Sequence, residues 1–169
     1  IKVSTYLAAV TKEMEPDSTE DFSIDEVNPD LPNVVFVWNS QNQGPYSNTF
    51  IYGHPIDNMV PTLFHPNELM DGCVVSGNYV WPAFKVPTYL YVNSPILLEL
   101  YKEHGKTINF RGVIFGRSHN PSNWHKTRCA QVAVKIAQYL DADGLVMAWE
   151  GGGNAAVAGM LTIQCAEKH

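Results

Sequence analysis

Four short apolar runs punctuate the chain, at residues 34–38, 73–75, 112–115 and 145–149, and none alternates with polar positions. Runs of that length and continuity suit strands buried on both faces of a parallel sheet. Helical spacing fills the later intervals. Residues 94–104 and 124–140 repeat apolar side chains every three to four positions and close before a glycine, Gly105 or Gly144. A third helix starts at Asn154 and carries Val157, Met160, Leu161, Gln164 and Cys165 at the same spacing. Residues 49–52 and 88–92, rich in Thr, Tyr and branched aliphatics, read as further strands. The alternation predicts an α/β fold, a three-layer αβα arrangement with a mostly parallel sheet.

Residues 1–15 read as the tail of a preceding helix, 16–33 as an acidic linker rich in Pro and Ser with too few apolar groups to pack, and 34–169 as the α/β domain. The chain opens on Ile1 and stops at His169 where a helix should hand over to a strand, so the sequence is expected to be part of a larger chain, truncated or continuing beyond its C-terminus.

Every strong strand is followed by a polar tract: 39–44, 76–78, 116–120 and 150–154. In parallel sheets the carboxyl ends of the strands share one edge, and ligands bind there. The last tract, Glu150-Gly151-Gly152-Gly153-Asn154, is the most informative. Three glycines remove every Cβ from the approach to a helix mouth, leaving N–H groups aligned with the positive end of the helix dipole, with Asn154 as the expected cap. A carboxylate or phosphate suits such a cradle; a plain tight turn is the competing explanation. Gly151-x-Gly153-x-x-Ala156 also matches the dinucleotide fingerprint, but its acidic partner would fall beyond His169.

With 17 acidic against 11 basic residues, a formal charge of −6 and no basic cluster, nucleic acid is excluded as a partner. No apolar run is long enough to span a membrane. Cys73, Cys129 and Cys165 are odd in number and widely spaced, which suits a reducing compartment, and the expected localisation is cytoplasmic. The catalytic candidates are Glu150, Tyr79 and His119; the substrate-binding candidates are Gly151, Gly152, Gly153 and Asn154, then Ser76, Gly77, Asn78 and Asn120. His119, His125 and Cys129 form an H-x5-H-x3-C series, and His65, Glu68 and Asp71 a second, but neither fits a common metal motif and no metal is expected. Cys73 lies within a buried run and reads as inert. Tyr79, Trp81, Tyr89, Tyr91 and Trp149 supply aromatic faces able to cage a quaternary ammonium, although core packing explains such residues more often.

Seven segments carry a resemblance: 28–33, 49–53, 61–66, 70–78, 86–89, 101–105 and the 150–154 turn. In order, they resemble the pyruvoyl-precursor, or beta-type, subunit of component B of the glycine, sarcosine and betaine reductases. The resemblance implies an oxidoreductase of amino acid metabolism, working in a heteromeric complex with other component-B-like subunits and a selenocysteine- or cysteine-bearing partner. It also implies a small amino- or ammonio-carboxylate substrate and reductive C–N cleavage. Family members are cut before a cysteine that follows Ser-Gly-Asn, and that cysteine becomes a pyruvoyl group. Here Ser76-Gly77-Asn78 is followed by Tyr79. The tyrosine phenol lies a whole ring away from Cβ, so no cofactor is expected on this chain. The alternative is a non-catalytic paralogue that binds a ligand or assembles a partner.

Overall fold

The computed structural model of the protein describes residues 2–41, 49–57, 59–76 and 86–169. In chain order the elements are α1 (Lys2–Thr11), β1 (Asn33–Ser40), β2 (Thr49–Ile51), β3 (His54–Pro55), β4 (Thr62–Phe64), α2 (Pro66–Met70), β5 (Val74–Ser76), α3 (Thr88–Val92), α4 (Pro95–Glu103), β6 (Asn109–Arg117), α5 (Asn123–Tyr139), β7 (Gly144–Trp149) and α6 (Asn154–Ala166). The main sheet runs β4-β6-β1-β7. Its β6, β1 and β7 are parallel, and β4 joins antiparallel along β6. Helices flank it, giving the α/β architecture expected from the alternating pattern.

Strand periodicity distributes the core. Along β1, Phe36 and Trp38 point to one face and Val35 and Val37 to the other, all buried. The first face packs with Phe64, Leu69, Val74, Tyr91, Leu97, Phe110, Val113 and Phe115 beneath α2, α3 and α4. The second meets Ile114 and the small residues Ala133 and Ala137 of α5, which let that helix approach closely. α6 packs on α5 and β7.

The structure corrects several expectations. Residues 73–75 do form a strand, but β5 pairs with β2 in a separate antiparallel sheet of order β3-β2-β5. Residues 88–92 are helical. Pro87 stands at the N-cap, and the turn that follows buries Tyr91 completely while leaving Tyr89 69% exposed, whereas a strand would put both on one face. α5 ends at Tyr139 with Leu140 as its C-cap and Asp141 in the left-handed region at φ 51°, so Gly144 opens β7 instead of capping the helix. β7 is an edge strand and only half-buried. Within the segment read as a linker, Phe22 and Ile24 pack on the core, Phe22 against Tyr101 with ring centroids 5.0 Å apart.

Candidate functional site

The carboxyl ends of β6, β1 and β7 lie side by side, aligning Ser40 with Arg117 and Asn39 with Trp149. Short hydrogen bonds lock the tracts that follow. Glu150 N–H donates to the Asn39 carbonyl at 2.9 Å, Ser118 N–H to the Ser40 carbonyl at 2.7 Å, and the Ser118 hydroxyl to the Asn39 carbonyl. Three of the four polar tracts therefore share this edge. The fourth arrives through the small sheet: Ser76, half-buried, pairs with Thr49, which touches Ser40.

Glu150 is 4% exposed and does not face open solvent. Its Oε2 accepts from the backbone N–H groups of Gln41 (3.2 Å) and Val86 (3.3 Å), and its Oε1 from the Tyr91 hydroxyl. Tyr91 has one proton and gives it to Glu150, so Ser40 must be the donor in the Ser40–Tyr91 contact. Thr49 donates to the Gln41 carbonyl at 2.8 Å and sits 3.0 Å from Ser40 Oγ. A protonated Glu150 allows the whole chain to run the other way, from Glu150 through Tyr91, Ser40 and Thr49 to the Gln41 carbonyl, with every contact bonded. Burial raises the Glu150 carboxyl above its ordinary value, only partly offset by its donors, and burial beside the Glu150 charge pushes the Tyr91 phenol well up. The arrangement can store or hand over a proton away from water.

The glycine turn beyond Glu150 is open. Gly152, Gly153 and Asn154 are exposed, and among the described residues no hydrogen bond is donated by the N–H of Gly151, Gly152, Gly153 or Asn154. Two of these positions require glycine. Gly151 has φ +88° and its Cβ would lie 2.7 Å from Gln41 Oε1, and Gly153 has φ +54°. Gly153 takes the N-cap position that the sequence suggested for Asn154. Asn154 is the first helical residue, and its Oδ1 accepts from Asn120 N–H at 3.2 Å.

Asn120 is fully buried and forms a hub. It receives Arg117 Nε at 3.1 Å and Cys129 Sγ at 3.5 Å on Oδ1 and Lys126 Nζ at 3.2 Å on its carbonyl, and its amide donates to the Arg117 carbonyl at 3.2 Å. Ser40, Arg117 and Ser118 fell inside the polar tracts and Tyr91 inside the aromatic cluster without being singled out as site residues, and Lys126 escaped the sequence reading altogether. One signal was available for Lys126, which lies on the stripe of α5 that also buries Ala130, Ala133, Val134 and Ala137. His119 is half-buried after β6. Gly77, Asn78, Tyr79 and Trp81 lie outside the described residues. Tyr91 packs into the core, 4.7 Å from Trp38, while Tyr89 and Trp149 are exposed, so Tyr91 belongs to no surface aromatic cage.

No cluster of three metal-type ligands occurs among the described residues. His125 Nδ1 is 2.7 Å from Ser122 Oγ, while His65 and Glu68 form the capping box of α2. Burial raises the Cys73 thiol to about 12, in keeping with an inert core residue.

Comparison with known proteins decides the family. The family model of glycine/sarcosine/betaine reductase component B subunits matches residues 1–169. The chain belongs to that family. It is 37% identical over 161 residues to the glycine reductase complex component B subunits alpha and beta of Acetoanaerobium sticklandii, covering 91% of this chain and 37% of the relative. It is 38% identical over 161 residues to the betaine reductase complex component B subunit alpha of Peptoclostridium acidaminophilum, covering 90% and 36%. The sarcosine reductase complex component B subunit alpha of the same organism is 35% identical over 160 residues, covering 91% and 37%. The chain thus spans little more than a third of the length of these relatives. No solved structure matches it. No helix among the described residues is long and apolar enough to cross a membrane.

Proposed function

We propose that this chain is the portion of a component B subunit that holds the carboxylate of a small amino or ammonio acid, within a heteromeric complex that cleaves the C–N bond reductively. The relatives are named for glycine, betaine and sarcosine reductases and are nearly equally similar to this chain, at 37%, 38% and 35% identity. What those three molecules share is a carboxylate one carbon from nitrogen. The observation that carries the reading is the turn from Gly151 to Asn154, exposed from Gly152 on, whose N–H groups donate to no partner among the described residues and stand at the mouth of a 13-residue helix. Glu150, just behind it, supplies a proton-holding group shielded from water.

The pyruvoyl group that the family resemblance implies does not fit position 79. Tyrosine offers neither thiol nor hydroxyl at Cβ, and no step is assigned to such a group. Tyr79 also favours a second reading, a ligand-binding or assembly paralogue that does no chemistry. Amine release from glycine, sarcosine or betaine by the reassembled complex separates the two, since a paralogue releases none.

Gly152→Val tests the cradle. Gly152 has no positive φ and, among the described residues, no atom within 4 Å of its would-be Cβ, so valine fits the fold while covering the N–H groups. The expected result is a KM raised about tenfold or more with an unchanged melting temperature. An unchanged KM counts against the cradle.

A further inference from the structure

Two cations are buried at the carboxyl end of β6 with no acidic partner. Arg117, the last residue of the strand, is 5% exposed, and Lys126, in the first turn of α5, is 6% exposed. Both donate to neutral oxygens of Asn120. Neither forms an ion pair among the described residues, and residues 42–48, 58 and 77–85 contain no Asp or Glu. Glu150, the carboxylate on the same edge, is already taken by Tyr91, Gln41 and Val86. Burying a charge is costly unless something compensates it.

The helices add to the imbalance. Lys126 faces the positive end of its own 17-residue helix, an unfavourable place for a cation. Asn120, which both cations grip, donates its N–H to Asn154 Oδ1, joining this cluster to the mouth of α6. Two cations and two helix N-termini that repel one another are all stabilised by a single negative charge placed among them.

We propose that Arg117 and Lys126 form the cationic wall of a carboxylate site completed by the N-termini of α5 and α6. The inference rests on the reading of this edge as the substrate-binding edge, and it names the residues that supply the charge. The ligand is a compact carboxylate, from a free amino or ammonio acid or from an acidic side chain of a partner subunit.

The test is thermal melting of the full-length polypeptide titrated with acetate, glycine and betaine, with choline as the cation lacking a carboxylate. Wild type should be stabilised by the three carboxylates and not by choline. Lys126→Met, relieved of an uncompensated charge, should melt higher than wild type without ligand and bind acetate and betaine about tenfold more weakly or worse. Arg117→Gln should show the same loss of affinity and serves if the lysine variant fails to fold. Lys126→Met melting lower with affinity unchanged would mean that the lysine merely props the Asn120 carbonyl, which overturns the proposal. Binding lost in Gly152→Val but kept in both cation variants overturns it too and leaves the cradle standing; the reverse keeps the cations and removes the cradle. Acetate binding that is present on the free polypeptide and gone in the assembled complex assigns the site to a partner's carboxylate, whereas competition by betaine in the complex assigns it to the free acid.

Discussion

One edge of the main sheet handles opposite charges in opposite ways. Around Glu150 the chain surrounds a buried carboxylate with three donors of its own, drawn from the residue after β1, from α3 and from the segment before α3. Around Arg117 and Lys126 it buries two cations and, among the described residues, offers them the neutral oxygens of Asn120 and no carboxylate. Desolvation penalises both sets alike, so the difference lies in who compensates it. The Glu150 cluster is self-sufficient and fastens the site together. The cation cluster is incomplete within the chain and is where an outside partner would make the largest difference.

Breaking the self-sufficient half should therefore cost the most stability. Glu150→Ala strands the Tyr91 hydroxyl and two backbone N–H groups, and urea unfolding should show a loss of about 3–5 kcal/mol. Glu150→Gln should cost far less, because an amide can accept from Gln41 and Val86 while donating to Tyr91, as a protonated carboxyl does. A loss in Glu150→Ala no larger than that in Glu150→Gln would show that the three donors find other partners. Next in size is Tyr91→Phe, which keeps the ring against Trp38 but removes the hydroxyl between Ser40 and Glu150. About 1–3 kcal/mol should be lost in the same assay. A neutral result would mean that Glu150 is held by the backbone donors alone.

The contrast between the halves also explains what the sequence could reveal. β1, β6 and β7 were legible as continuous apolar runs and α4, α5 and α6 by their helical spacing, and the strand-to-helix turn at 151–153 by its glycines. What escaped depended on distant pairing. Val74 to Ser76 looked like one more strand of the parallel sheet, since a three-residue run does not reveal its partner. Thr88 to Val92 has strand composition, and only the proline before it and the burial of Tyr91 against Trp38 make it a helix. That misreading hid the donor to Glu150, and Lys126 went unnoticed although it lies on the buried stripe with Ala130, Ala133, Val134 and Ala137.

The smallest expected effect is a slope with pH, and it bears on which force governs Glu150. Burial raises its carboxyl above the ordinary 4.5, while the hydrogen bonds from Tyr91, Gln41 and Val86 pull the other way without cancelling it. A group that holds its proton more tightly folded than unfolded adds stability that is complete below the unfolded value and is lost as pH rises through the folded one. Wild type should therefore lose stability relative to Glu150→Gln as pH climbs above the ordinary carboxyl value of 4.5, read as the difference between their urea midpoints. A difference that instead grows with pH would mean that the donors outweigh burial and that Glu150 stays ionised. In that event the carboxylate fastens β1 and α3 together without exchanging its proton, and proton handling at this edge would have to come from another group.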